Sequence, residues 1–469
     1  MILLLSLACL LAGTFILKNI RIGAVAGILV QVLYVVLGPG WGSTQTNAVV
    51  NGVAITLELS LLLFGAVAFY RFLLNNQRLA FLDEFVVTSP DRPYLLITYC
   101  FFLGTFFEGI AGFGVPPILL IPLLAKSGFK PLTSIAVALS GSLNGVIFGA
   151  LGAPLIFGLG ITELNETINI VMVINALSCL AMPFILTYLY SKIEGVAVSW
   201  STTLPMHLGA GIIYYVLFFI GSRFTVEYPS VITGAVGMIL FMTIYNPAVR
   251  TWGLKFWITS FWPYCLLIAF LLMSKLILGT ISFTMPGGTK SLSAYQPGLV
   301  FLITIAVISL IFKISHQQFQ AKEAIEKSAQ RTVQSTLTIL ALIIFSQLVR
   351  WEMVDYIGVF IAHQPEYLEP YLIMSFGVLG AFLTGSATMS NLLLNGLLTS
   401  ATTNVTLATA VLHSGSVAGN AIALQNIVMA RSAVDEPIHD REVFRYTSRT
   451  LLICLLCVSI SAAVWLLLN

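Results

Sequence analysis

Thirteen stretches of this chain run for sixteen or more residues with almost no charge: 1–17, 20–37, 49–70, 94–125, 131–157, 168–191, 206–222, 230–246, 257–278, 297–312, 333–349, 371–430 and 449–468. A helix needs about 20 apolar residues to cross a bilayer, with a range of about 17–25. Only 9% of the 469 residues are charged, against about 25% in a soluble domain. So few charges cannot clothe a water-facing surface of this size, which excludes a soluble enzyme or a nucleic-acid binder. Disorder needs low hydrophobicity and many charges, whereas 58% of this chain is hydrophobic. Long unbroken runs, rather than short alternating ones, exclude a membrane β-barrel. The chain reads as an all-α polytopic membrane protein with about 12–14 transmembrane elements.

Met1 to Leu17 is apolar from its first residue, without the basic start and small-residue cleavage site of a secretory signal. It is expected to be a retained first span. Cys454-Leu-Leu-Cys457 has the spacing of a redox motif but sits in an apolar run with no βαβ context, so both cysteines are expected to pack. No phosphate-binding loop and no His-Glu-x-x-His or clustered His/Cys set appears. Neither nucleotide hydrolysis nor a metal-dependent membrane enzyme is supported, and no cofactor is expected.

Basic residues mark the cytoplasmic side of membrane proteins. With the N-terminus outside, 18 of the 22 Lys and Arg residues fall in inside loops. Only Arg223, Lys275, Lys290 and Arg350 fall outside. This topology makes run 94–125 begin and end inside, as a hairpin or a span with a re-entrant return. Run 371–430 begins outside and ends inside. Four regions are expected: N-terminal spans 1–93, a first repeat region 94–312, a cytoplasmic linker 313–332 and a second repeat region 333–469.

The repeat is visible in two short matches. Leu103-Gly104-Thr105-Phe106-Phe107-Glu108-Gly109 resembles Leu379-Gly380-Ala381-Phe382-Leu383-Thr384-Gly385 at an offset of 276. Ser140-Gly141-Ser142-Leu143-Asn144-Gly145 resembles Ser414-Gly415-Ser416-Val417-Ala418-Gly419 at an offset of 274. The first repeat starts inside and the second outside, which gives two inverted-topology repeats with broken helices or re-entrant hairpins. In such folds the substrate site lies near the midplane, where interrupted helices of both repeats meet. The expected broken segments are 104–117 and 384–395, supported by 140–154 and 413–426.

In the first segment Gly109, Gly112, Phe113 and Gly114 precede two prolines, a composition ill suited to a helix interior. Irregular backbone at membrane depth persists only where protein or a wet cavity satisfies it, and helix starts suit anions. A packing kink is the plainer alternative. Glu108 stands at this break. A charged carboxyl at the bilayer centre costs about 2.5–3.5 kcal/mol on insertion scales, and desolvation favours its neutral form. Glu108 is the candidate proton-coupling residue, with a structural, hydrogen-bonded glutamate as the alternative. Glu58 is the other plainly intramembrane acid and lies outside both repeats. Gly385, Ser386, Thr388, Ser390 and Asn391 form an uncharged polar break, and Asn144, His413, Ser414 and Gln425 are the remaining candidate substrate contacts. Hydroxyls in spans also bond simply across helices, and a lone histidine is often a packing residue. Arg431 closes the last polar span, and a snorkelling role is its plain reading.

Phe106-Phe107-Glu108-Gly109-Ile110-Ala111-Gly112-Phe113-Gly114-Val115-Pro116 resembles the signature of the bacterial L-lactate permease family. Gly128-Phe129-Lys130-Pro131-Leu132, Phe148-Gly149-Ala150-Leu151-Gly152-Ala153-Pro154, Gly380-Ala381-Phe382-Leu383-Thr384-Gly385-Ser386 and Phe444-Arg445-Tyr446-Thr447 are similar to the family in the same order. The resemblance implies proton-coupled uptake of lactate, glycolate and related 2-hydroxymonocarboxylates. Three positions depart from the family pattern. Ala387 stands where the family has an acid, Asn420 where it has a lysine, and Ala423-Leu424 where it has Ser-Pro before Gln425. Losing an acid and a base together removes two burial penalties at once.

The expected function is secondary transport of a small organic monocarboxylate by proton symport, in the bacterial cytoplasmic (inner) membrane. The expected partners are that anion, the coupling proton and the lipid bilayer, with no nucleic acid, and a homo-oligomer stays open. The alternatives are a sodium-coupled or exchange carrier for another organic anion, and a non-transporting receptor or scaffold on the same fold.

Overall fold

The computed structural model describes residues 2–17, 19–38, 40–76, 91–112, 115–288, 291–314, 321–402, 404–431, 433–434, 436 and 438–468. The helices are α1 (Ile2–Phe15), α2 (Ile20–Leu37), α3 (Ser43–Asn75), α4 (Arg92–Ile110), α5 (Val115–Lys126), α6 (Pro131–Gly141), α7 (Gly149–Leu159), α8 (Glu166–Glu194), α9 (Trp200–Gly221) and α10 (Pro229–Tyr245). They continue with α11 (Leu254–Leu278), α12 (Pro297–Ile314), α13 (Ala321–Ala362), α14 (Glu369–Thr384), α15 (Ala387–Ala401), α16 (Val405–Gly419), α17 (Leu424–Arg431) and α18 (Asp440–Leu468). Among the described residues the one sheet is a small antiparallel hairpin, β1 (Ser282–Thr284) with β2 (Ser291–Ser293). Among the described residues eight helical segments are long and apolar enough to cross a bilayer, and shorter apolar helices lie between them. The chain is an all-helical multi-pass membrane protein.

It divides into two compact units. One comprises Met1–Thr88 with Ala248–Val349, the other Ser89–Pro247 with Arg350–Asn469. In the first unit α3 packs on α12, with Phe69 against Phe301 (5.7 Å between centroids) and Phe72 against Phe312 (6.3 Å). Glu58 is buried there and accepts a hydrogen bond from Gln296 Nε2 at 3.3 Å. Arg21 donates twice to Thr338 Oγ1, at 3.1 and 3.0 Å.

The second unit holds both broken segments. Its first hairpin is α4–α5. Ile97–Leu103 of α4 widens into a π-helical stretch, a feature that recurs at functional sites. The irregular backbone is shorter than 104–117. Helix α4 runs through Gly109 and Ile110, and Gly112 takes a left-handed φ of +54°. Pro116 and Pro117 lie in the first turn of α5, where a missing N–H forfeits no intrahelical bond. The second hairpin is α14–α15. Its break is confined to Gly385 (φ +73°) and the extended Ser386, whose side chain accepts from Met389 N at 3.5 Å and caps α15. That cap lets the polar run after it continue as helix.

Each hairpin is followed by a broken span. Helix α6 passes through a 3₁₀ stretch, Leu143–Phe148, into Ala150, Leu151 and Gly152, all left-handed (φ 45°, 54° and 77°). A left-handed non-glycine residue costs roughly 1–2 kcal/mol, so the surrounding packing holds this turn against its own preference. Helix α16 passes through a 3₁₀ turn, Asn420–Ile422, into α17.

A third element extends the repeat beyond the two sequence matches. Helices α8 and α18 are each 29 residues long. They begin at Glu166 and Asp440, an offset of 274, the same as between Pro131 and Val405 that open α6 and α16. The repeats exchange partners. Helix α8 packs on α16 and α18 on α6, while α15 packs on α7 and α5 on α17. The seam carries two matching hydrogen bonds. Ser140 Oγ pairs with Thr450 Oγ1 at 2.8 Å, and Asn175 Nδ2 donates to Ser414 Oγ at 2.7 Å. Ser140 and Ser414 are themselves 274 residues apart.

Candidate functional site

The two breaks and the two broken spans close on one small cavity. Glu108 and Gly112 line it from the first break, with Val146, Gly149, Ala150 and Pro154 from the first broken span. Gly385, Ser386, Ala387 and Thr388 line it from the second break, with Asn420 from the second broken span. Its volume is about 20 Å³, room for a water molecule and far less than a three-carbon acid occupies.

Glu108 sits in the last turn of α4 and is 5% exposed. Among the described residues no hydrogen bond or ion pair engages its carboxyl, and no Lys or Arg lines the cavity. The carboxyl is positioned by close backbone approach. Its Oε1 lies 3.1 Å from where a Cβ at Gly149 would stand. Thr105 Oγ1, one turn earlier on α4, meets Tyr214 Oη at 3.1 Å, and Ser230 Oγ donates to Gly145 O at 2.8 Å. Across the break, Gly112 has no side chain where a Cβ would fall 2.8 Å from the Ala150 Cβ.

Behind the second break, α15 and α16 are tied to the first broken span. Asn391 Nδ2 donates to Pro154 O at 3.0 Å and to His413 Nδ1 at 2.9 Å, and His413 Nε2 donates to Ile147 O at 3.0 Å. These partners require the neutral histidine tautomer with its proton on Nε2. Asn391 Oδ1 is buried and has no partner among the described residues.

The candidate residues from the sequence therefore divide. Glu108, Gly112, Gly385, Ser386 and Thr388 face the cavity. Asn391 and His413 form the tie just described. Ser390 donates to Gly377 O at 2.9 Å and pairs with Ser416 Oγ at 2.8 Å. Ser414 donates to Ala410 O and receives Asn175. Asn144 is paired with Ser178, accepting its hydroxyl at 3.1 Å. Gly109 packs against Ser230 and Val231 of α10. Gln425 is exposed, with Oε1 2.8 Å from where a Gly385 Cβ would stand. Phe113 and Gly114 lie outside the described residues. Arg431 pairs with Asp440 at 2.5 Å at the surface and does not reach inward. Four lining residues from the first broken span, Val146, Gly149, Ala150 and Pro154, were not among the candidates. Their signal was two glycines and a proline within six residues, 149–154.

The model of the L-lactate permease family matches residues 1–260 and 259–468. The chain belongs to the L-lactate permease family. It is 25% identical over 455 residues to the L-lactate permease of Halalkalibacterium halodurans, covering 86% of this chain and 84% of that protein. It is 23% identical over 460 residues to the glycolate permease of Escherichia coli K12, covering 84% and 81%. Among solved structures it is similar to the YdaH transporter of Alcanivorax borkumensis, with TM-score 0.44 and 17% identity over 94% of this chain and 89% of that one. As a member of this permease family, the chain is a membrane transporter rather than an enzyme. Ala387 and Asn420, where it departs from the family's acid and lysine, line the same cavity as Glu108.

Proposed function

We propose that this permease-family member is a secondary transporter of small organic monocarboxylates of the lactate and glycolate type, coupled to protons, in a bacterial cytoplasmic membrane. The observation that carries the reading is the buried Glu108 carboxyl, which has no partner among the described residues and faces the cavity where both breaks meet. A charged acid with no counter-ion is costly there, so the group is suited to holding a proton during the crossing. One proton with one monoanion is electroneutral, which matches a cavity lined by no cation among the described residues.

The substrate site is placed between the breaks. The starts of α5 and α15 lie at them, and helix starts favour anions. The Thr388 hydroxyl faces the same space. Because the cavity holds about one water, binding a three-carbon acid requires the two breaks to separate. The inverted relation of the repeats is supported by parity. If each of the seven elements between the hairpins (α6 with α7, then α8 to α13) crosses once, the hairpins open on opposite sides of the membrane, as the distribution of Lys and Arg also requires.

Uptake of labelled L-lactate or glycolate into proteoliposomes tests the reading. An inward proton gradient is expected to drive accumulation and a protonophore to collapse it. Accumulation driven by sodium alone, with no response to the proton gradient, would replace this reading with the sodium-coupled one.

A further inference from the structure

Where the last turns of α8 meet the third turn of α18, two cations from different helices converge on one aromatic ring. Arg449 Nη1 donates to Tyr188 Oη at 3.2 Å. Its guanidinium carbon lies 6.0 Å from the Tyr188 ring and 5.0 Å from the Tyr446 ring. Lys192 Nζ lies 6.0 Å from the same Tyr188 ring. Tyr188, Tyr446 and Arg449 are half-buried, and Lys192 is exposed. Among the described residues neither cation is paired with a carboxylate. The nearby acids are engaged elsewhere or lie outward. Glu194 accepts from Lys130 N and Thr133 Oγ1 and pairs with Lys130 Nζ, Asp440 pairs with Arg431, and Glu442 is exposed two turns before Arg449.

An apolar track leads away from this cluster along both helices. On α18 the face of Arg449 continues through Leu452, Leu456 and Ile460, which are 66%, 60% and 47% exposed. On α8 the face of Lys192 and Tyr188 continues through Leu177 and Val173, also exposed. The spacing of three and four residues keeps the α18 series on one side of its helix, and on α8 Leu177 lies eleven residues, about three turns, before Tyr188 and so returns to the same side. The distribution of Lys and Arg puts Lys192 and Arg449 on the cytoplasmic side, where anionic lipids concentrate and where basic pockets between spans hold lipid headgroups.

We propose that the outer face of the packed pair α8 and α18, at its Lys192–Arg449 end, is a binding site for an anionic phospholipid. Lys192, Arg449 and the Tyr188 hydroxyl receive its phosphodiester, and the exposed leucines and isoleucine receive its acyl chains. The lipid sits at the seam between the two repeats. Thr450, next to Arg449, makes the hydrogen bond to Ser140 that joins α18 to the first repeat's broken span.

The test is native mass spectrometry of the full-length protein released from mixed micelles. The probes are phosphatidylglycerol and phosphatidylcholine with identical acyl chains, and glycerol phosphate as the free headgroup. The wild type is expected to retain phosphatidylglycerol about thirtyfold over phosphatidylcholine, the scale set by two interfacial cations. The Lys192→Gln, Arg449→Gln double variant is expected to lose that preference. Tyr188→Phe, which keeps the ring and removes the hydroxyl that positions Arg449, is expected to lose part of it even if the double variant fails to fold. Equal retention of both lipids by the wild type, or an unchanged preference in the variants, overturns the proposal. So does competition by glycerol phosphate at equal concentration, because it would show a headgroup site without the apolar track.

Discussion

The two breaks occupy equivalent places in the repeats and are built oppositely. At the first, Glu108 presents a carboxyl with no partner among the described residues, and the glycines around it let backbone press against it. At the second, Thr384 stands in the equivalent position and is satisfied locally, donating to Gly380 O at 2.8 Å. Ser390 and Asn391 behind it are hydrogen-bonded to neighbouring helices. One break thus holds a buried ionisable group, and the other a hydrogen-bonded polar frame. The difference teaches that an internal repeat can share its backbone plan while its ionisable group sits on one side alone.

The comparison breaks most sharply if the second break is given a charge. Ala387→Asp puts a second acid on the Glu108 cavity. Melting of the purified protein is expected to show a loss of roughly 3–5 kcal/mol, the range for an uncompensated buried charge. Adding Asn420→Lys, from the same cavity, is expected to recover most of that loss. No recovery would mean that the two positions do not act on each other.

A smaller effect tests the glycines that let the breaks close. Gly112→Val combines a left-handed β-branched residue with a contact on Ala150, and is expected to destabilise by roughly 2–3 kcal/mol. Lactate uptake is expected to fall with it, while Gly160→Ala, equally left-handed but in open space, leaves uptake unchanged. Asn391→Ala strips His413 Nδ1 and Pro154 O of their donor at once. It is expected to lower stability by about 1–3 kcal/mol, the penalty for unsatisfied buried groups, read from the same melting curves. The smallest effect probes the equivalence of the repeats directly. Ser140→Ala and Ser414→Ala each remove one of the two matching seam bonds, and each is expected to cost about 1 kcal/mol. A difference of several-fold between them would show that the seam is loaded unevenly.

Much of this was legible in the sequence because membranes leave few options. Scarce charge marked the spans, and Gly and Pro marked the breaks. The exact breaks were not legible, because a proline in a first turn and a serine at a cap belong to helices as readily as to interruptions. Pro116 and Ser386 both do so here. The third repeat element escaped because α8 and α18 are plain apolar helices whose equivalence lies in position and not in motif. Asn175 and Thr450 escaped with it, since a seam bond between residues 239 or 310 apart leaves no local trace. The left-handed Ala150 and Leu151 run against their own preferences, so only tertiary packing specifies them.

The central claim, that Glu108 carries the coupling proton, is tested by comparing two assays of Glu108→Gln in the same proteoliposomes. Exchange of internal for external lactate requires the substrate site but no net proton movement. Accumulation driven by an inward proton gradient requires both. The account predicts that the variant exchanges lactate and fails to accumulate it. Accumulation at the wild-type level would contradict the account.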